Sequence, residues 1–321
     1  NLPESIRDSS GHTYVVSSAG IAGKHNEALV DEPSVVIGRK GSIGTTYFFE
    51  SPIWPIDTTF YVTGSNEIDI RFAFYLLQTL GLKEMNNDSA VPGLNRSQAE
   101  SLTVSIPPLR EQRAIASTLG ALDDKLDSLK RAVRVAQDLA QTYFKSWFVS
   151  DKGMEQRVAS GWEKAKLADI CDLRRDSVKA GEFTDLPYVP VDSLESRSLA
   201  INSWKPNSQA QSSLVRFEPN DILIGAMRVY FHRVAIAPFA GLTRTTAFTI
   251  RPKHPKYLLY ALLLCNEDTT IEDAQTTSKG STMPYAVWEG GLADLEIAVP
   301  PDHLLSEFTD LVTPLDRKSV V

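Results

Sequence analysis

Two cysteines and five histidines are all the chain offers to a disulfide framework or a metal. Cys171 and Cys265 stand far apart with no C-x-x-C spacing, which fits a reducing, cytoplasmic setting and excludes a structural zinc. His12, His25, His232, His254 and His303 meet neither H-E-x-x-H nor any other metal spacing. There is no G-x-S-x-G elbow and no G-x-G-x-x-G turn, and the glycine-rich stretch at 38–44 does not satisfy G-x-x-x-x-G-K-[ST]. Nothing approaches the ~18–20 consecutive apolar residues of a membrane span, and no signal peptide is visible. An excess of positive charge is missing too. The net charge of −7 argues, as a sum, against a nucleic-acid partner. Its distribution weakens that objection. Residues 214–251 carry Arg216, Arg228, Arg233, Arg244 and Arg251 against Glu218 and Asp221, while Glu111, Asp123, Asp124, Asp127 and Asp138 gather in one helical stretch.

What is present is room for two domains of ordinary size and a connecting element: 321 residues, 42% hydrophobic and 23% charged. The chain opens on Asn1 rather than Met, and so reads as a fragment or a processed form.

The connecting element is the stretch that Ile106-Pro107-Pro108-Leu109-Arg110-Glu111-Gln112 leads into. From Ile115 the apolar positions run Leu119, Leu122, Leu126, Leu129, Val133, Ala136, Ala140, Tyr143, Trp147, with gaps alternating between four and three. That is the seam of a coiled-coil helix. Pro107 and Pro108 suit a helix start, because proline lacks the amide proton an interior position would need. No proline interrupts 109–149, and Gly120 is its only glycine. A helix of about 40 residues would be roughly 60 Å long, too long for the inside of a compact domain. It reads as a spacer whose apolar seam pairs with a helix beginning after Pro301. The Asp123-Asp124 pair on it reads as a solvated face.

On either side lies a repeat. Val35-Val36-Ile37-Gly38-Arg39-Lys40 is answered by Ile222-Leu223-Ile224-Gly225-Ala226-Met227-Arg228, and Thr58-Thr59-Phe60 by Thr245-Thr246-Ala247-Phe248. Residues 72–77 parallel 257–262, and Ser89-Ala90-Val91-Pro92 parallels Ser281-Thr282-Met283-Pro284. Ile106-Pro107-Pro108 is matched by Val299-Pro300-Pro301, and Leu122-Asp123-Asp124-Lys125 by Leu315-Asp316-Arg317-Lys318. The order is kept while the offset drifts only from about 185 to 193. Each copy reads as a mixed α/β (α+β) globule followed by a helix. In the first, strands are expected at 34–37, 45–49, 59–63 and 101–106, with a helix at 70–82. In the second, strands are expected near Tyr188 and at 221–224, 233–237 and 247–251, with a helix at 256–265. The second globule also has about 27 extra residues at its start, 161–187. Its helix carries Phe308, Val312 and Leu315 on the same seam. The expected boundaries are globule 1–106, spacer helix 107–150, globule 151–299 and second spacer helix 300–321.

These residues resemble the specificity subunit of type I restriction–modification systems. The resemblance is carried by 106–116, by 119–126, by Phe144-Lys145-Ser146-Trp147-Phe148, by the turn at 38–44 and by Pro92-Gly93-Leu94-Asn95-Arg96. It covers essentially the whole chain, in the order recognition domain, spacer helix, recognition domain, spacer helix. It departs at Asp302-His303-Leu304-Leu305, where the first copy has Leu-Arg-Glu-Gln, and in lacking the family's usual start of the first globule. The resemblance implies a chain without catalysis of its own. Each recognition domain would read half of a bipartite asymmetric duplex target, and long antiparallel coiled-coil helices would set the distance and dock methyltransferase and restriction subunits. Methyl donor, ATP and Mg would sit on those partners.

The residues expected to touch DNA are polar groups in loops. Arg39, Lys40 and Ser42 lie in a glycine-punctuated turn, where backbone can approach a phosphate and an arginine can read guanine. Asn95 and Arg96, and in the second copy Lys279 and Ser281, occupy matching loops; helix capping would equally explain them. Arg228, Tyr230, His232 and Arg233 alternate as along a strand, so several would share one face. Arg244 and the Lys24-His25-Asn26 run are weaker candidates, and Trp54, Trp204 and Trp288 read as core or rim. A competing reading is an interaction scaffold that presents two α/β modules to protein ligands. A third, methyltransferase or nuclease chemistry in this chain, has no cofactor motif behind it. Self-association through the helices is a further expectation.

Overall fold

The computed structural model describes residues 2–85, 93–149, 153–183, 185–210 and 213–316. The repeat segments at 89–92 and 317–318, and the side chains of Leu315 and Asp316, lie outside what is described. The chain divides into two compact units, Asn1–Asp127 and Ser128–Val321.

Unit 1 holds β1 (Thr13–Ser17), β2 (Gly20–His25), β3 (Ser34–Gly38), β4 (Thr46–Phe49), β5 (Ile53–Pro55) and β6 (Thr59–Thr63), then α1 (Ile70–Gln78) and α2 (Arg96–Glu100). The strands form two sheets ordered β2-β1-β5 and β4-β3-β6. β3 reads as an unbroken apolar run because both of its faces are covered. Val35 and Ile37 pack with Ile43, Leu82 and Leu94, while Val36 points the other way, onto Val16, Val30 and Ile53. Asp69 caps α1 by accepting from the Phe72 amide at 3.0 Å.

The spacer helix α3 (Leu109–Phe144) runs unbroken and ends in a π-helical turn, Lys145–Val149. Its first turns are fastened to unit 1. Buried Gln112 accepts from the Asp69 amide at 2.9 Å and donates to the carbonyls of Glu67 (2.8 Å) and Pro107 (2.9 Å). Asp123 and Asp124 are more than a solvated face: they accept from the Tyr75 hydroxyl at 2.7 Å and from Arg71 at 2.9 Å. Gly120 is buried because the Arg71 guanidinium occupies the space its Cβ would need.

Unit 2 begins with α4 (Met154–Ala159), β7 (Glu163–Lys166), α5 (Leu167–Ile170), β8 (Cys171–Leu173) and β9 (Ser177–Val178). It continues through β10 (Leu214–Phe217), β11 (Ile222–Gly225), β12 (Val234–Ile236), β13 (Gly241–Arg244) and β14 (Ala247–Pro252) to α6 (Leu258–Cys265), α7 (Asp268–Thr276), β15 (Glu296–Val299) and α8 (Asp302–Asp316). Its central sheet, β12-β11-β14-β8, repeats that of unit 1 in register: Ile224 faces Phe248 as Ile37 faces Phe60.

Two further expectations are corrected. The first concerns 101–106, which forms no strand. Its counterpart, β15, exists by pairing with β7, and among the described residues of the first globule no strand pairs with 101–106. A lone strand does not form without a partner for its amides. The second concerns the seam. The helix after Pro301 does meet the spacer, over its last turns: Phe144 and Phe148 pack with Leu305, Phe308 and Val312, the Phe148 and Phe308 rings lying 4.8 Å apart. Further back, Leu119, Leu122 and Leu126 stay exposed, Leu122 at 59%.

Candidate nucleic-acid interface

In unit 1 the turn after β3 is held by backbone. The Arg39 and Lys40 amides donate to the Thr58 carbonyl at 2.8 and 3.2 Å, and the Leu94 amide donates to the Arg39 carbonyl at 2.8 Å. Lys40 and Gly93 form an antiparallel bridge. Loops 39–44 and 93–96, some 50 residues apart in sequence, therefore make one surface. Arg39, Lys40 and Ser42 are exposed on it, with the Arg39 guanidinium 5.4 Å from the Phe60 ring centroid. Gly41 (φ +78°) and Gly44 (φ +65°) supply the left-handed corners. A Cβ on Gly44 would come within 2.4 Å of Leu82 and Lys83 backbone. Asn95 caps α2, accepting from the Gln98 amide at 3.2 Å, and exposed Arg96 pairs with Glu100 at 2.8 Å.

Unit 2 repeats this cradle bond for bond. Ala226 and Met227 donate to the Thr246 carbonyl at 2.9 and 3.3 Å, and Ala286 donates to the Ala226 carbonyl at 2.9 Å. Met227 bridges Tyr285 as Lys40 bridges Gly93. The repeat register is thus Thr58 with Thr246, one residue from the sequence pairing. Arg228 takes the place of Gly41, left-handed at φ +50°, and its amide donates to the Pro284 carbonyl at 2.7 Å. Lys279 exchanges two 2.9 Å backbone bonds with Tyr285, which ties the Lys279 loop to the Arg228 turn. Lys279, Ser281, Met283 and Tyr285 are exposed.

Residues 228–233 are not a strand. Val229–Phe231 is a 3-10 turn between left-handed Arg228 and left-handed His232, because the Gly225 amide bonds to the Arg233 carbonyl and closes a loop ahead of β12. His232 does not share a face with Arg228. It is only 4% exposed, its Nε2 lying 3.0 Å from both the carbonyl and Oδ1 of Asn266. Arg233 pairs with Asp192 at 3.1 Å. Arg216 and Arg251 are likewise spoken for, by Glu218 and by buried Asp221. Among the described residues this leaves Arg228 and Arg244 of that arginine-rich segment without an ion pair, so the free positive charge is smaller than the count suggests. Arg244 stands exposed at the end of β13, two residues before Thr246. Lys24 and His25 lie on β2, His25 against Trp54. Trp288 is buried, whereas Trp204 is exposed beside Phe239.

Tyr285 and Phe60 escaped the sequence reading. Only the backbone pairing shows that both flank a cation-bearing turn, although the matched spacing of the two threonines pointed toward the same place. Among the described residues no group of three or more His, Cys, Asp and Glu side chains is arranged around a metal position.

The profile of the family described as type I restriction modification DNA specificity domain matches twice, at residues 6–134 and 159–316, one match in each half of the repeat. The chain is 24% identical over 360 aligned positions to the type I restriction enzyme MjaIX specificity subunit of Methanocaldococcus jannaschii, covering 98% of this chain and 79% of that one. It is 27% identical to the EcoprrI specificity subunit of Escherichia coli over 38% of this chain and 31% of that one. The crystal structure of a type I restriction-modification S subunit from M. genitalium shares the fold, with TM-score 0.60 at 15% identity, covering 99% of this chain and 86% of that one. With both halves of the repeat matched, the chain belongs to the type I restriction-modification DNA specificity family, as a non-catalytic specificity subunit.

Proposed function

We propose that each unit reads one half of a split, asymmetric duplex DNA site through its cradle, with recognition modules at 1–106 and 151–299. The observation that carries this is one backbone cradle presenting two different sets of side chains: Arg39, Lys40 and Ser42 in one unit, Arg228 with Lys279 and Ser281 in the other. A shared frame with unlike side chains is what reading two unlike half-sites requires. Arg96 and Arg244 add phosphate contacts, and Asn95 and Arg233 hold their loops in place. Spacers 107–150 and 300–321 set the distance between half-sites, much as protein geometry fixes half-site spacing in other DNA readers. The exposed Leu119, Leu122 and Leu126 are the seam for the antiparallel partner helix, in this chain or a second one. The methyltransferase subunits dock on that helical region, the restriction subunits join them, and methyl donor, ATP and Mg are held by those partners, in the cytoplasm.

A salt series separates this from the protein-scaffold reading. Binding of the chain to duplex containing its target should fall steeply as salt rises, through counterion release, and random duplex should bind at least about 1,000-fold more weakly. Equal affinity for all duplexes, or none at low salt, would favour the scaffold.

A further inference from the structure

The recognition turn of unit 2 is built without glycine. Unit 1 places Gly41 and Gly44 at its two left-handed corners; the equivalent corners of unit 2 are Arg228 (φ +50°) and His232 (φ +53°). A left-handed residue that carries a side chain is strained where glycine is not, so something must hold the loop. Gly44 rests backbone against backbone on Leu82 and Lys83, the segment following α1. In unit 2 the His232 ring spans that gap and reaches Asn266, the residue following α6. With two acceptors, the carbonyl and Oδ1 of Asn266, 3.0 Å from Nε2, that nitrogen is the donor. His232 Nδ1 lies 3.4 Å from Asp268 Oδ1, which Arg197 holds at 2.8 Å, and the Arg197 amide donates to the His232 carbonyl at 2.8 Å.

The chain of bonds continues inward. Asn266 Nδ2 donates to Gln141 Oε1 at 2.9 Å. Gln141 Nε2 in turn donates to Leu263 O at 3.2 Å and to the buried Glu267 carboxylate, which also faces Lys145 at 3.7 Å. Gln141 belongs to α3 and Lys145 to its terminal turn. The Arg228 turn is therefore tied, through one buried ring and one amide, to the end of the spacer helix.

We propose that His232, Asn266 and Gln141 form a positioning relay that fixes the turn bearing Arg228, so that the base preference of the second half-site is set partly by residues that never touch DNA. The proposal rests on the DNA-reading function above. His232 and Gln141 are positioning residues: their side chains both bond to Asn266, and they act through Arg228.

The test is a selection of bound duplexes from a randomised library by the full chain, run on the wild type and on four variants, with melting temperature recorded for each. Arg228→Ala marks the position that Arg228 reads. His232→Phe keeps a ring and removes both nitrogens; Gln141→Leu cuts the relay far from the turn. Both should lower discrimination at that position and its neighbours in the second half-site by about 10-fold, leaving the first half-site unchanged. His232→Gln, whose amide nitrogen can stand in for Nε2, should restore the wild-type preference, which a loss of fold would not predict. Should His232→Phe fail to fold, Gln141→Leu with the same readout decides. Wild-type preference in the folded Phe and Leu variants, equal loss in both half-sites, or no rescue by Gln would overturn the relay. A wild type with no two-part preference would instead overturn the DNA-reading function itself.

Discussion

The central sheets of the two units share a register, yet they are finished differently. Ser34 faces Thr63 in unit 1, whereas in unit 2 Asp221, just ahead of β11, pairs with Arg251 of β14. The serine hydroxyl is buried without a partner; the carboxylate is fully buried and grips Arg251 at 2.6 and 2.8 Å. In unit 2, β8 lies along the outer edge of β14 and β7 along β15; among the described residues of unit 1 no strand pairs with the outer edge of β6 or with 101–106. Val62 is 38% exposed where its counterpart Ile250 is 0%, and Ile106 is 40% exposed where Val299 is 5%. The part common to both units is the cradle that binds loop to loop, while edges and ion pairs vary.

That contrast can be broken by substitution. The largest effect is expected at the ion pair. Arg251→Ala leaves Asp221 buried and uncompensated and should destabilise unit 2 by about 3–5 kcal/mol in a denaturant titration, whereas Thr63→Ala should cost well under about 1 kcal/mol. Next comes the strand that only one unit forms. Ile297→Ala, deep under β7, should cost about 2–4 kcal/mol, and Ile106→Ala, at the strandless counterpart, less than about 0.5 kcal/mol. Equal costs at either pair would show that the edges are finished alike in solution. In duplex binding, Arg39→Ala and Arg228→Ala should each lose about 1–3 kcal/mol and relax one target position, with the near-neutral folding stability of exposed substitutions.

The smallest effect is chemical. Burial pushes the Cys171 thiol up from an ordinary 9.0 to about 12, and buried Cys265 is raised as well. Well below pH 9 both thiols are protonated folded or unfolded, so stability is unaffected. As pH climbs from 9 toward 12 the unfolded chain loses the proton first, and unit 2 loses stability. Alkylation at pH 8 should therefore wait for unfolding; prompt labelling of the folded protein would contradict the burial of β8 and α6.

Much of this was written in the sequence. The long seam, the double globule and both cation-bearing turns follow from proline placement, apolar spacing and order-preserving repetition, signals that are local or repeated. What escaped depends on partners distant in the chain. The expected strand at 101–106 has an apolar, strand-like pattern but no neighbouring strand among the described residues, and pairing cannot be seen from one strand alone. The turn at 228–232 alternates as a strand would, and nothing local marks arginine or histidine as left-handed. His232 looked like a surface ligand because its anchor, Asn266, lies 34 residues away. The arginine-rich segment looked basic because Asp192, the partner of Arg233, sits outside it.

Whether two copies of one cradle each read their own half of a divided site is tested most directly by methylation-site mapping in a host carrying the complete system. With the wild-type chain the modified sites should share a two-part motif of fixed spacing; Arg39→Ala should relax one half alone and Arg228→Ala the other alone. Both substitutions altering the same half, or modified sites forming one uninterrupted motif, would contradict it.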